Sequence, residues 1–217
     1  IDITHEYFIS KVATEFNQYS YQNIDYQKIV DDIREVSGAQ YAALNIFEEN
    51  GKDFSTVALS GISKNIQKAI KFIGYPIVGK KWDYDPHREK LIEHHKTTIF
   101  SNLAELNGTV IPNKISKLIE TTFNIGEVAL VKTTKDKIMI GDFTLLFAAK
   151  THLRNKKIVE AYADLVGSLI SRIRAEEALH NSEEKYRFFA EKMGDIVWTT
   201  DLEFNTTYVS PSVYNIL

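Results

Sequence analysis

The chain has 217 residues, 44% of them apolar, with 29 acidic against 26 basic side chains, a formal charge of −3, a pI near 6.1 and no cysteine. That is enough apolar material for a packed core, while the charge balance gives no basic footprint for nucleic acid and the absence of thiols removes cysteine nucleophiles and fits a reducing, cytoplasmic setting. No apolar run approaches the ~20 residues that span a bilayer and no signal-peptide pattern opens the chain, so no membrane contact is expected of this segment.

Phe8, Val12, Phe16 and Tyr19 recur at helical spacing and predict a helix within residues 1–22. Tyr26, Ile29, Ile33 and Val36 form a second stripe, with Gly38 as its stop. Tyr41 to Phe47 and Phe54 to Leu59 are rich in β-formers and flank Glu48-Glu49-Asn50-Gly51, where Asn-Gly suits a tight hairpin. Ser63 is placed to cap a helix bearing Ile66, Ala69, Ile70 and Ile73, closed at Gly74. After a strand-like Tyr75 to Val78, Asp85-Pro86 supplies the cap and first turn of a helix running toward His95. Thr97 to Ser101 is strand-like, and Pro112 opens a helix of Ile115, Leu118, Ile119 and Phe123 that Gly126 is expected to end. A closing hairpin follows: Glu127 to Thr133, a polar turn at Thr134 to Lys137, then Ile138 to Ala149. In its second strand Phe143, Leu145 and Phe147 face one way while Leu146 and Ala148 face the other, so the sheet needs cover on both sides. An α+β fold satisfies these patterns: an antiparallel sheet of about six strands with helices on both faces.

A long helix is expected from about Asn155 to Met193. Val159, Val166 and Ile173 recur every seven residues with Tyr162 and Leu169 between them, a heptad seam expected to face a second copy of the chain. Ile158 and Leu165 flank it and are assigned to the domain's own sheet. Beyond Ile173 the seam turns polar at Glu176, His180 and Glu183, while Leu179 and Tyr186 continue the flanking stripe. Residues from Asp195 to Asp201 and from Tyr208 onward then read as two short strands about a turn at Asp201 to Asn205, with a helix starting at Ser210-Pro211. About thirty residues bury too little surface to fold alone, so this end is expected to be the opening of an incomplete domain in a longer, modular protein.

From Ile24 to about His152, the order helix, hairpin, helix, crossover segment, helix, hairpin, long exit helix resembles a GAF domain. The strings Gly74-Tyr-Pro-Ile-Val-Gly-Lys-Lys-Trp-Asp-Tyr-Asp-Pro86 and Phe123-Asn-Ile-Gly-Glu-Val128 are similar to GAF-type sensor regions that precede PAS modules in histidine kinases. Glu183 to Asp201 followed by Tyr208-Val-Ser-Pro-Ser-Val213 resembles the entry to a PAS domain, and Arg172 to Arg187 resembles the helices that join sensory modules. The resemblance implies an N-terminal helix at 1–22, a GAF-like sensor at 23–154, a signalling helix at 155–185 and a truncated PAS start at 186–217. It also implies two-component signal transduction, with further PAS and kinase modules in the parent chain.

Little in the sequence promises chemistry. His94 and His95 point ~100° apart on a helix, His87 lies seven residues before His94, and no acidic or cysteine partner stands at ligand spacing, so no metal site is expected. His180 reads as a solvated helix position. The covalent bilin attachment and sulfoxide reduction found on GAF scaffolds need a cysteine nucleophile. Asn113-Lys114 with Phe123 and Glu127 echoes a cyclic-nucleotide pattern, yet Val128 stands where a second acid belongs. No catalytic residue is assigned. The most suggestive cluster is Tyr75, Trp82, Tyr84, Asp85, His87 and Arg88, which sets aromatic walls beside a few polar groups in a glycine-bounded loop and is the candidate site for an unidentified small molecule. Its structural alternative is that Trp82 and Tyr84 plug the core beneath the loop. The expected function is sensing a ligand or partner and relaying it through a dimeric helix; a ligand-free dimerisation spacer is the alternative, and a small-molecule enzyme ranks third.

Overall fold

The computed structural model describes residues 3–48, 52–61, 77–107, 112–192 and 196–215. The Asn50-Gly51 turn, the helix expected from Ser63 to Gly74, and Tyr75 lie outside the described residues. The chain divides into two compact units, Ile1–Ser171 and Arg172–Leu217.

In the first unit, α1 (Ile3–Phe16) and α2 (Tyr26–Ser37) precede the hairpin β1 (Tyr41–Phe47) and β2 (Phe54–Ser60). Asp25 caps α2 by accepting the Lys28 N–H at 2.9 Å, and Gly38 ends it at φ 73°, a conformation that a side chain disfavours. Next come β3 (Lys81–Trp82), α3 (Pro86–Ile92), β4 (Thr97–Phe100), α4 (Leu103–Asn107) and α5 (Asn113–Phe123). The hairpin β5 (Ile125–Lys135) and β6 (Ile138–Ala148) leads into α6 (Lys156–Lys192). Two expected boundaries move. Asn124, at φ 54°, ends α5, whereas Gly126 sits inside β5 at a register shift, where an added Cβ would lie 2.7 Å from Ala149 Cα. The closing turn is tighter than expected: Asp136 and Lys137 alone span it, at φ 50° and 68°.

The six strands run β3-β2-β1-β6-β5-β4, every neighbouring pair antiparallel. Register sorts the side chains. Leu44 pairs with Phe143 and Val131 with Phe143, placing these on one face; Asn45 pairs with Asp142, and Asp142 with Lys132, on the other. In β2, Thr56 pairs with Asn45 but Ala58 pairs with Leu44, so a bulge at Val57 moves the buried side chains from one face to the other partway along the strand.

Helices α1, α2 and the start of α6 cover the first face. Ile29, Val30 and Ile33 of α2 are fully buried, and Phe143 lies 6.2 Å from the Tyr162 ring of α6, which Phe8 and Phe16 of α1 contact from their side at 5.8 Å each. Tyr162 donates its hydroxyl to Ile29 O at 3.0 Å, and burial pushes its phenol far above the ordinary tyrosine range, keeping that proton in place. Gly167 lets α6 reach β5: a Cβ there would stand 2.5 Å from Thr134 O. Val159, Tyr162, Val166, Leu169 and Ile173, expected on a partner-facing seam, are instead all buried within the chain. A stripe facing a protein's own core also repeats nearly every seven residues, since two helical turns span 7.2, and spacing alone does not separate the two cases. Ile158 is buried as expected and Leu165 half-buried. The second face is covered by α3 and α4 through a cluster of Ile92, Phe100, Leu103, Leu106, Val128 and Leu130, against which Ile119 of α5 packs half-buried.

The second unit holds the remainder of α6, the hairpin β7 (Trp198–Thr200) and β8 (Thr206–Val209), and a short 3₁₀ turn at Pro211–Asn215. Asp201 organises the hairpin turn: its carboxylate accepts the backbone N–H of Glu203 and of Asn205, and the Asn205 side-chain amide, each at 2.9 Å. Ser210 Oγ accepts the Val197 N–H at 3.0 Å, and Ser212 Oγ donates to Ala190 O at 3.3 Å. Trp198, Leu202, Phe204 and Tyr214 are exposed.

Candidate functional site

The second sheet face carries a continuous chain of buried polar groups. Trp82, held on β3 by its pairing with Phe54, donates its indole N–H to Thr56 Oγ1 at 2.9 Å. Thr56 donates to Asn45 Oδ1 at 2.7 Å, and the Asn45 amide donates to Asp142 Oδ1 at 2.8 Å and to Thr144 Oγ1 at 3.2 Å. Asp142, with no exposed surface, receives the Arg88 Nη2–H on its other oxygen at 2.7 Å. Every link runs from donor to acceptor without conflict, which is how a low-dielectric interior tolerates such groups. An aromatic wall stands alongside: Phe47 is 5.5 Å from Phe54, Phe54 stacks on Trp82 at 6.4 Å, and the Arg88 guanidinium lies 4.6 Å above the Phe54 ring.

Of the residues singled out from sequence, Trp82 and Arg88 are brought together against the Phe54 ring. Trp82 is only 8% exposed and packs in a cluster with Phe47, Phe54, Ile77 and Met139, so it serves both as core plug and as wall. Asp85 caps α3 by accepting the His87 N–H at 2.8 Å. His87 itself is exposed. Tyr84 lies outside the cluster: its N–H donates to Asp53 Oδ1 at 3.1 Å, Lys52 sits 5.4 Å above its ring, and a hydrogen bond to the Glu89 carboxylate raises its phenol pKa. Sequence reasoning missed Asn45, Thr56, Asp142 and Thr144. The signal was present as isolated polar residues inside apolar strands, Asn45 between Leu44 and Ile46, and Asp142 before Phe143.

Lys132, across the strand from Asp142, donates to Glu93 O at 2.8 Å, and burial lowers its ammonium pKa below the usual lysine value. Among the described residues no group of three or more His, Asp or Glu side chains is placed to hold a metal ion, and no helix is long and apolar enough to cross a membrane.

No protein-family model and no curated protein matches the chain. Solved structures do. The GAF domain of an Acinetobacter phosphoenolpyruvate-protein phosphotransferase superposes with a TM-score of 0.56 at 9% identity, covering 81% of this chain and 97% of that one. A bacteriophytochrome from R. palustris gives 0.57 at 10% identity over 90% of this chain and 43% of that chain, and the chromophore-binding domain of a Stigmatella aurantiaca bacteriophytochrome gives 0.50 at 12% over 78% and 60%. The chain thus spans nearly all of the phosphotransferase's GAF domain but less than two thirds of either phytochrome structure. The architecture is a GAF-like α+β fold with a long C-terminal helix.

Proposed function

We propose that this chain is a non-catalytic sensory module of a larger cytoplasmic signal-transduction protein, such as a histidine kinase, in which occupancy of the Trp82–Arg88 face is relayed through α6 to a following PAS module. The observation that carries this reading is a pair of adjacent residues on β6. Asp142 closes the polar chain on one face of the sheet, and Phe143, on the opposite face, packs on Tyr162 of α6. A shift of β6 at the site is therefore felt one residue later by the exit helix.

The relay needs a second copy of the chain. With Val159, Val166 and Ile173 buried at home, the stripe left for a parallel partner in the second unit is Arg172, Ala175, Leu179, Ser182, Tyr186 and Phe189, spaced by three and four. Leu179 is 62% exposed and Tyr186 72%. Small residues, Ala175 and Ser182, interrupt the large ones along this stripe, and a marginal, shiftable contact suits a relay better than a permanent clamp. In the parent protein, deleting the seven residues 172–178 preserves heptad phase and should preserve output, whereas deleting four should scramble it. Indifference of the parent to both deletions would refute the relay. A ligand-free spacer is the competing reading, favoured by the fact that Trp82, Thr56 and Asn45 already satisfy one another; it predicts output independent of any substitution at Arg88.

A further inference from the structure

We propose that the Arg88 face binds a small organic carboxylate with an apolar body, anchored by the Arg88 guanidinium. The inference rests on the sensory reading and adds the chemistry of what is sensed. Arg88 sits in a buried place for a charge, its side chain 9% exposed, yet among the described residues it makes a single hydrogen bond, Nη2–H to Asp142. The guanidinium is a rigid fork of N–H donors suited to bidentate contact with a planar carboxylate. Asp142 does not take it bidentately, because its Oδ1 already receives the Asn45 amide and, at 3.3 Å, the Thr144 hydroxyl. The remaining donors of the fork are left for another acceptor.

Among the described residues Asp142 is the one carboxylate that Arg88 contacts, and its cross-strand neighbour on the same face is a second cation, Lys132, whose ammonium donates to the Glu93 carbonyl at 2.8 Å and also feels the Glu93 carboxylate. The two acids offset the two cations, so the attraction for an anion comes from the unused guanidinium donors of Arg88. Phe47, Phe54 and Trp82 supply the wall against which an apolar body packs. A carboxylate is favoured over phosphate because one fork beside a neutralised acid matches a planar single charge better than a tetrahedral double one.

The test uses the 217-residue chain and benzoate as probe, with benzamide as its uncharged counterpart and inorganic phosphate as the alternative anion, followed by calorimetry. Saturable benzoate binding is expected, at least tenfold tighter than benzamide or phosphate, and Arg88→Lys should weaken it at least tenfold although charge is kept. Because Arg88→Gln alone strands a buried Asp142, the charge-balanced pair Arg88→Gln with Asp142→Asn is the control: it should melt cooperatively and no longer bind benzoate. Absence of saturable benzoate binding by the folded wild type, equal binding of benzamide, tighter binding of phosphate, benzoate affinity unchanged in Arg88→Lys, or benzoate binding retained by the double variant would overturn the proposal. Benzoate binding that leaves hydrogen exchange in α6 unchanged would uphold the site and refute the relay, so the two fail separately.

Discussion

Val166→Glu separates the core assignment of α6 from a partner-facing one. Val166 has no exposed surface and immediately precedes Gly167, the point where α6 touches β5. Removing the valine from the core costs about 1.5–3 kcal/mol of apolar burial. The glutamate then either remains charged in an apolar setting or takes up a proton, and a buried carboxyl whose pKa rises by ~3–5 units at ~1.4 kcal/mol per unit adds about 4–7 kcal/mol. The total, about 6–10 kcal/mol, rivals the ~5–15 kcal/mol by which an ordinary domain is stable. The first unit should therefore lose its cooperative thermal transition, read by circular dichroism, and express poorly. Leu179→Glu, on the exposed stripe, should leave that transition in place and convert a sedimenting dimer to a monomer. A folded, monomeric Val166→Glu protein melting like wild type would show that Val166 faces another chain, and the core assignment of α6 would fall.

Tyr162→Phe should lower stability by about 0.5–1.5 kcal/mol in urea titration, since it removes the buried bond from the hydroxyl to the Ile29 carbonyl while the helical bond of that carbonyl stays; no change would mean that the hydroxyl is not holding α2 to α6. Replacing Asp136-Lys137 by Asn-Gly should raise the melting temperature, because two side chains now occupy left-handed backbone at about 1 kcal/mol or more each, and a lower melting temperature would contradict the turn geometry. Hydrogen bonds from Asn205 hold the Asp201 carboxyl below the ordinary aspartate value. A depressed folded pKa contributes stability that is present above the unfolded value and lost as pH falls through the folded one, so the Asn205 amide should lose exchange protection below about pH 4. Asp201→Ala should abolish that pH dependence.

Strands and caps were legible because they depend on neighbours in sequence: the Asp85-Pro86 start of α3, the Gly38 stop of α2 and the alternation around Phe143 all appear where local stereochemistry places them. The stop of α5 was not, because Gly126 and Asn124 both tolerate positive φ and only the approach of Ala149 assigns the glycine to a bulge. The heptad seam was visible, but its destination was decided by which helix face Gly167 presses to the sheet. At the candidate site, Trp82 and Arg88 were found from their own loop, whereas Asn45 and Asp142 lie 97 positions apart and acquire meaning only through pairing of β1 with β6.

The bulge at Val57 makes β2 a crank shared by two departments of the molecule. On one side of it Phe54 and Thr56 belong to the aromatic wall and polar chain; on the other Ala58 and Ser60 belong to the face under α2, where Ser60 bonds Asp31 and accepts the Arg34 Nε–H at 2.7 Å. The same seven-residue strand answers to two sets of neighbours, and its alternating buried residues conceal the changeover. Length at this point is consequently more constrained than composition: a conservative exchange at Val57 leaves both departments in register, while the loss or gain of one residue there hands the side chains of one face to the other.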